Sequence, residues 1–497
     1  MTAQYLLGLD QAQYRETKRL QDLYIGVDVW GRGSHGGGGF GLFKAISHIS
    51  PESLGLSVAL FGPAWTWESE QDKPGWSWKA WWEYENKLWV GPRKAGEDVP
   101  VPVPKPHPAD PPCEHGSFQP ISNFFPHRPP PNPAVLPFLT TFSPGVGWSW
   151  FVRGNCVFRS ETGWTDVDKT TSTGDLVFPR PTLAWEDGER EEAIPDASSD
   201  ISMDDAWLGG SSLAITISAP GSDAEDAFFR CVWLPIQSLA ITPRKSYRMH
   251  IVFKSDGPVD TDTGASIKSL EKDGPHATEF EITPIASSES LPSGWTELLI
   301  DFKLPLDGQR DVLSAAGLVV GFACEDPTEA VTFTVNIGMI SVYPNPTSSD
   351  LAAVNPKVLW ADFAPNRPAS TTSPPAPFSG VLTWDTGVSL GPLPNFTTIS
   401  IESPLPLWIL DCPPPGIAYF NLYAQKHTGE GAGMPPEEAT FIGTTGLDGR
   451  ANRFYVDPAC IPAEFQGVGS VRFYIQGVSA KGKVLDWEDC AFVDVDR

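Results

Sequence analysis

Two successive stretches near the amino terminus constrain this chain most. Leu23–Gly41 reads LYIGVDVWGRGSHGGGGFG and Leu56–Glu68 reads LSVALFGPAWTWE. Each looks like a buried strand that runs into a loop loaded with Trp, Asp, Arg and Gly. Two strand-then-loop units in a row predict a parallel β/α architecture with binding loops at the strand carboxyl ends. Residues 3–20 read as a helix, with Tyr5, Leu6, Leu9, Ala12 and Leu20 roughly on one face. Leu42–Ile49, LFKAISHI, reads as a short helix between the two strands.

The loops hold the candidate site residues. Asp28 lies in an otherwise apolar strand, so its carboxylate must have a partner or line a site. Arg32, four residues on, is either that partner or a brace for the Gly-rich loop. Trp30, Trp65 and Trp67 follow the two strands and make a candidate platform for a sugar ring, since an indole offers a flat apolar face. Glu68 is the carboxylate next to them. Gly31-Arg-Gly33-Ser-His-Gly36 has the spacing of a dinucleotide fingerprint between a strand and a helix. Against that reading, the next strand ends in Phe-Gly-Pro instead of an acidic residue, and Trp30 crowds the turn. Trp76–Trp89, WSWKAWWEYENKLW, places Trp78, Trp81, Trp82, Glu85 and Trp89 at near-helical spacing. It reads as a helix packing its aromatics inward, with Glu83 and Glu85 on the solvent side.

Composition narrows the partners. Thirty-five basic and 61 acidic residues give a net charge of −26, which argues against nucleic acid and anionic membrane. The seven cysteines are odd in number and scattered, with no CxxC, so neither a disulfide framework nor a zinc site is expected. His35, His48, His107, His115 and His127 lack the HExxH spacing of a metal site and read as solvated loop residues. No GxSxG is present. The first residues lack the apolar core of a signal peptide, and no run reaches the ~18 apolar residues of a membrane span. These features predict a cytosolic protein with reduced thiols, no cofactor and no metal; the sequon at Asn395 is then unused.

Residues 95–137 are Pro-rich and read as a long extended insertion. Leu139–Phe142 reads as a third short strand. From about residue 155 the pattern changes to short alternating segments such as SLAITISA, SYRMHIVFKS and FTVNIGMISVY, the signature of an antiparallel β-sandwich. A Pro/Ser/Thr-rich stretch near 365–378 precedes a second β module with IAYFNLYAQ and SVRFYIQGVSAKG, which reads as fibronectin-III-like. The expected domains are 1–155, 156–350 (jelly-roll-like) and 351–497.

Tyr24–Gly41, YIGVDVWGRGSHGGGGFG, resembles the signature of the cytosolic endo-β-N-acetylglucosaminidases, glycoside hydrolase family 85. LSVALFGPAWTWE and Leu136–Gly154, LPFLTTFSPGVGWSWFVRG, are similar to further barrel segments of that family, the latter to its last strand and exit. GTTGLDGRANRFYVD and VRFYIQGVSAKG resemble its C-terminal sandwich. The resemblance implies an α/β plus all-β chain: the C-terminal part of a (β/α)8 TIM barrel, about strands six to eight, followed by two β-sandwich domains. It implies cleavage of the GlcNAc-β1,4-GlcNAc core of N-glycans by substrate-assisted retention, without cofactor. In that mechanism the 2-acetamido oxygen attacks the anomeric carbon, an Asn positions the acetamide, and a Glu two residues later acts as acid and then base. Asp28, Trp30, Arg32, Trp65, Trp67 and Phe142 are the residues expected to contact an N-glycan or free oligosaccharide, with Trp148 as a further candidate.

The Asn-x-Glu pair belongs to a strand upstream of the signature. The 22 residues before Leu23 contain no Asn, and Glu16 falls in the expected helix. The chain alone is therefore expected not to hydrolyse glycans. Three parallel strands would also leave edges and apolar faces uncovered. Two explanations stay open: a part of a longer enzyme, or a relative that lost the pair and binds glycans or scaffolds through its β modules. A nucleotide-dependent oxidoreductase rests on the Gly spacing alone.

Overall fold

The computed structural model describes residues 20–50, 55–92, 96–103, 113–125, 129–175, 181–188, 190–224, 227–257, 259–270, 279–288, 291–305, 310–345, 355–366, 378–389, 416–427, 435–446, 452–457, 461–465 and 467–496. The helix expected over 3–20 lies outside them apart from Leu20, which opens a single 3-10 turn, Leu20–Asp22. The chain divides into two compact units, Met1–Pro129 and Pro130–Arg497.

In the first unit, β1 (Tyr24–Asp28) and β2 (Ser57–Phe61) pair in parallel, from Tyr24 opposite Ser57 to Asp28 opposite Phe61. The chain crosses between them through a 3-10 turn, Gly39–Gly41, and a one-turn helix, α1 (Phe43–Ile46). Val27 and Val29 pack with Phe40, Leu42, Ile46, Leu56, Leu88, Val99 and Ile121 in one core. Fully burying a side chain of this kind contributes about 2 kcal/mol. After β2 come α2 (Trp65–Glu68) and α3 (Trp78–Trp89). Helix α3 starts where it does because the Ser77 side chain accepts a hydrogen bond from the Ala80 amide at 3.2 Å, a cap worth about 1 kcal/mol.

The parallel pairing agrees with the sequence, but the strands are not buried on both faces. Tyr24 is 69% and Phe61 64% exposed. Among the described residues no third strand joins this sheet.

The second unit is built of antiparallel strands. Phe138–Thr140 does not extend the parallel sheet as expected; it pairs antiparallel with Ile340–Val342. The cause is local. Pro144–Val152 turns back at Arg153 and Gly154, which both have positive φ, and pairs with Asn155–Thr170 as a hairpin. The preceding strand is then anchored by hydrogen bonds from Thr140 to Thr171 and to the Ser172 carbonyl.

One sheet runs in the order Glu281–Ser288, Thr296–Lys303, Ser246–Asp256, Val331–Pro344, Ser212–Ala219, Asp196–Ser202. A four-stranded sheet runs Thr261–Ser269, Val312–Ala323, Phe229–Ile241, Ala184–Trp185. They meet where the Phe322 ring of one lies 5.0 Å from the Phe333 ring of the other. Period-two alternation explains the packing: in Ser212–Ala219, Leu213, Ile215 and Ile217 are fully buried.

Toward the carboxyl end, Asn355–Pro365, Gly380–Ser389 and Arg453–Val456 form one sheet. Thr440–Thr444, Ile417–Lys426, Ser470–Ser479 and Ala491–Asp496 form another. Leu382 and Trp384 from the first share a core with Leu422, Phe473 and Ile475 from the second. The molecule is mostly β. Among the described residues no helix is long and apolar enough to cross a membrane.

Candidate functional site

The carboxyl ends of β1 and β2 are organised by Asp28. Its Oδ2 accepts from Arg32 Nε at 2.8 Å and from the Arg32 amide at 3.2 Å. Its Oδ1 accepts from the Trp30 amide at 3.1 Å and from an Arg32 terminal nitrogen at 3.4 Å. The Asp28 amide donates to Ser34 Oγ at 3.1 Å. The Arg32 guanidinium holds the Asp28 carboxyl below the usual carboxylate range, with the Trp30 amide adding to it against partial burial. Asp28 in turn raises Arg32, which also feels Glu68. Of the two sequence-level roles for Arg32, the pair and the loop brace are one arrangement: the same carboxylate binds the side chain and ties down the loop backbone. The guanidinium, still exposed, lies 5.7 Å from the Phe61 ring centre.

The Gly-rich loop folds back on itself. The Gly39 amide donates to the Val29 carbonyl at 2.7 Å. A Cβ on Gly38, at φ 73°, would come within 2.3 Å of the Gly31 nitrogen. One on Gly39 would meet the Trp65 ring at 2.5 Å. The glycines thus serve close packing of the loop and of Trp65. The helix that follows is one turn long, so the loop has none of the extended helix start on which a pyrophosphate would rest.

The three tryptophans part company. Trp30 lies against Gly62, at the end of β2, and is 37% exposed. Trp65 is partly buried in edge-on contact with Phe40 and beside Tyr84. Trp67 is 38% exposed and sits among Trp76 and Trp81. Trp30 and Trp67 therefore retain surface for a ligand, and Trp65 supports the loop. Phe142 needs correction: it is fully buried in the second unit, so its ring belongs to a core and offers no glycan contact. Trp148, in the strand Pro144–Val152, is 44% exposed.

Glu85 is also corrected. It is not on the solvent side of α3. Its Oε1 accepts from Trp89 Nε1 at 2.7 Å, and its Oε2 accepts from the Thr66 hydroxyl. Thr66 in turn accepts from Trp81 Nε1 at 3.2 Å. Burial raises the Glu85 carboxyl above its ordinary value, opposed by these two hydrogen bonds. The carboxylate links α2 to α3 inside the aromatic cluster. Its place among Trp78, Trp81, Trp82 and Trp89 at helical spacing was the available signal.

A second group was not expected. His35 from the Gly-rich loop, His48 just after α1, and Cys113 and His115 from the Pro-rich segment converge, with ligand atoms all within 4.8 Å of one another. The expectation of separate, solvated histidines fails for three of them because the fold brings together positions up to 80 residues apart.

With this geometry in place, comparison with known proteins shows what the first 150 residues resemble. Residues 4–150 match the model of glycosyl hydrolase family 85. Over these residues the chain is similar to that family. The family 85 match takes in Asp28, Trp30, Arg32, Trp65, Trp67 and the four clustered metal-type ligands. The chain is 36% identical over 177 residues to cytosolic endo-beta-N-acetylglucosaminidase 1 of Arabidopsis thaliana, an overlap of 35% of this chain and 19% of the relative. It is 25% identical over 231 residues to the cytosolic endo-beta-N-acetylglucosaminidase of Gallus gallus, covering 46% and 24% of the two chains. The chain thus aligns with about a fifth to a quarter of the length of these relatives. Its fold is similar to that of the glycoside hydrolase domain of Endo-D from Streptococcus pneumoniae R6, with a TM-score of 0.51 and 16% identity over 98% of this chain and 61% of that one.

Proposed function

We propose that this chain is a family 85 member and forms part of a cytosolic endo-β-N-acetylglucosaminidase acting on the GlcNAc-β1,4-GlcNAc core of N-glycans or free oligosaccharides. In this reading β1 and β2 are adjacent strands of a (β/α)8 barrel, and residues 156–350 and 351–497 are a jelly-roll-like and a fibronectin-III-like sandwich. The observation that carries it is the register of β1 on β2. It sets Asp28 beside Phe61 at the carboxyl end of a parallel pair, where Trp30 stays accessible, the end of a barrel at which active sites are built. The exposed Tyr24 and Phe61 fit a sheet that continues around a closed barrel.

The reaction needs an acetamide-positioning group and an acid/base, and neither Asp28 nor Glu85 suits the latter. Asp28 is committed to Arg32 and the loop backbone, and Glu85 to Thr66 and Trp89. The residues present would bind and orient sugar, with Trp30 and Trp67 burying ring faces and Arg32 donating to hydroxyls. This chain alone is expected not to cleave a high-mannose glycopeptide; product release by the purified chain would overturn that.

Calorimetric titration with a chitobiose-core oligosaccharide tests the binding part. Trp30→Ala and Trp67→Ala should each weaken affinity about tenfold, equivalent to about 1.4 kcal/mol. Unchanged affinity in both variants would move the sugar-binding role to the second unit, where Trp148 is exposed.

A further inference from the structure

We infer that His35, His48, Cys113 and His115 form a zinc site that fastens the Pro-rich segment to the Gly-rich loop and the end of α1. His35 Nε2 lies 2.8 Å from His115 Nε2, and His48 Nε2 lies 3.3 Å from the same atom. Cys113 Sγ is 3.2 Å from His48 Nε2. A tetrahedral zinc with Zn–N of about 2.0 Å and Zn–S of about 2.3 Å has ligand edges of about 3.3 Å (N–N) and about 3.5 Å (N–S). The His48–His115 separation of 3.3 Å matches its edge, those of 3.2 Å (Cys113–His48) and 2.8 Å (His35–His115) are shorter than theirs, and all four ligand atoms lie within 4.8 Å of one another. Three imidazoles and one thiolate are a donor set suited to zinc.

Proton accounting points the same way. Ser47 Oγ donates its single hydrogen to the Lys44 carbonyl at 2.9 Å. It must therefore accept from His115 Nδ1, 3.2 Å away, which places the His115 proton on Nδ1 and leaves Nε2 as a bare lone pair. That lone pair faces two other imidazole nitrogens at once. One lone pair takes one hydrogen bond well, whereas a divalent cation satisfies all the converging atoms together. The Ser47 contact is the outer hydrogen bond that metal-bound histidines characteristically make, and it fixes both tautomer and ring orientation. The rings pack edge-on: His48 and His115 have centroids 4.9 Å apart at 90°, and His35 and His48 5.2 Å apart at 71°. Three imidazoles can point their edges at one centre only if their planes are inclined in this way.

The site's place gives its consequence. His35 sits three residues after Arg32, and Cys113 and His115 lie in residues 113–120, which carry no helix or strand. A zinc ion would cross-link that segment to the loop that Asp28 organises. Its effect is structural, since four protein ligands close the coordination sphere.

The test uses the tag-free 497-residue chain after chelation and reduction. Cobalt(II) should bind at one equivalent with the intense visible bands of a tetrahedral site and a near-ultraviolet thiolate-to-cobalt charge-transfer band, and zinc(II) should displace it. Cys113→Ser should lose the charge-transfer band, while Cys156→Ser keeps it. His115→Ala should lose stoichiometric binding. Ser47→Ala, a positioning change, should weaken zinc affinity about 10–100-fold without altering the cobalt spectrum at saturation. X-ray absorption at the zinc edge of the wild-type chain should give one sulfur and three nitrogen neighbours, a result that does not depend on any variant folding. Failure to bind either metal at micromolar concentration, a charge-transfer band that survives Cys113→Ser, or a zinc shell without sulfur would each overturn the assignment.

Discussion

Asp28 shows how one carboxylate shapes a loop. Both oxygens are engaged, two contacts going to the Arg32 side chain and two to backbone amides. Asp28→Asn removes the charge and one acceptor oxygen, so the Trp30 and Arg32 amides should exchange with solvent at least severalfold faster, as read by amide hydrogen exchange. Arg32→Lys should produce a smaller change, because an ammonium keeps the charge and loses the planar fork. The pH dependence has a definite sign. The folded pKa lies below the ordinary 3.8, so the contribution is fully present above that value and is lost as pH falls through the lower folded one. Amide protection at Trp30 should therefore persist below pH 3.8 in the wild type; protection that disappears above that pH would contradict the pairing.

At the scale of elements, α2 and α3 are held together by a partly buried polar link among aromatic rings. Glu85→Ala would leave the Trp89 indole N–H without its acceptor and the Thr66 hydroxyl with only the Pro63 carbonyl at 3.4 Å, a loss of about 2 kcal/mol at the usual cost of an orphaned buried donor. Glu85→Gln keeps an acceptor for Trp89 and should fall within about 1 kcal/mol of wild type. Because burial raises the folded pKa, the unfolded chain gives up this proton first as pH climbs past 4.5, and wild-type stability declines from there through the folded pKa. The Gln variant should lack that decline in urea melts followed by tryptophan fluorescence. Much of this element was legible beforehand: the helix, its extent and its aromatic stripe all follow from spacing. The role of Glu85 was lost because its partner Thr66 is 19 residues away, and local periodicity carries no record of such a contact. The same limit hid the His–Cys cluster, which is assembled from three separate segments with no shared spacing. Phe138–Thr140 failed differently: its composition suits any buried strand, and only the hairpin around Arg153 and Gly154 decides which sheet it joins.

At the scale of the molecule, the second unit is tied together by a buried cation. Lys169, in the strand Asn155–Thr170, is 4% exposed. Its ammonium lies 4.0 Å from the Tyr419 ring centre and 5.4 Å from that of Trp150. It donates to Thr444 Oγ1 at 3.2 Å and to the Thr445 carbonyl. One side chain thus joins the long hairpin to the sheet that holds Ile417–Lys426 and Thr440–Thr444. Burial pushes it down from 10.5 to about 8, against the pull of Asp166 and Asp168. Between those two values the unfolded chain holds the proton and the folded chain does not, so raising the pH through this window stabilises the fold. At about 1.4 kcal/mol per unit the full swing is about 3 kcal/mol. Tyrosines complicate the upper end, since burial raises Tyr419 and Tyr423, but these are common to wild type and variant and largely cancel in a difference. Lys169→Met keeps the apolar stem and a polarizable contact to the two rings. Urea denaturation of both proteins at pH 7 and pH 10 should show the wild type gaining on Lys169→Met by about 2 kcal/mol as the pH rises. A constant difference between the two pH values would mean that the ammonium is not destabilised by its burial, and that the rings and the two acceptors offset the lost hydration completely.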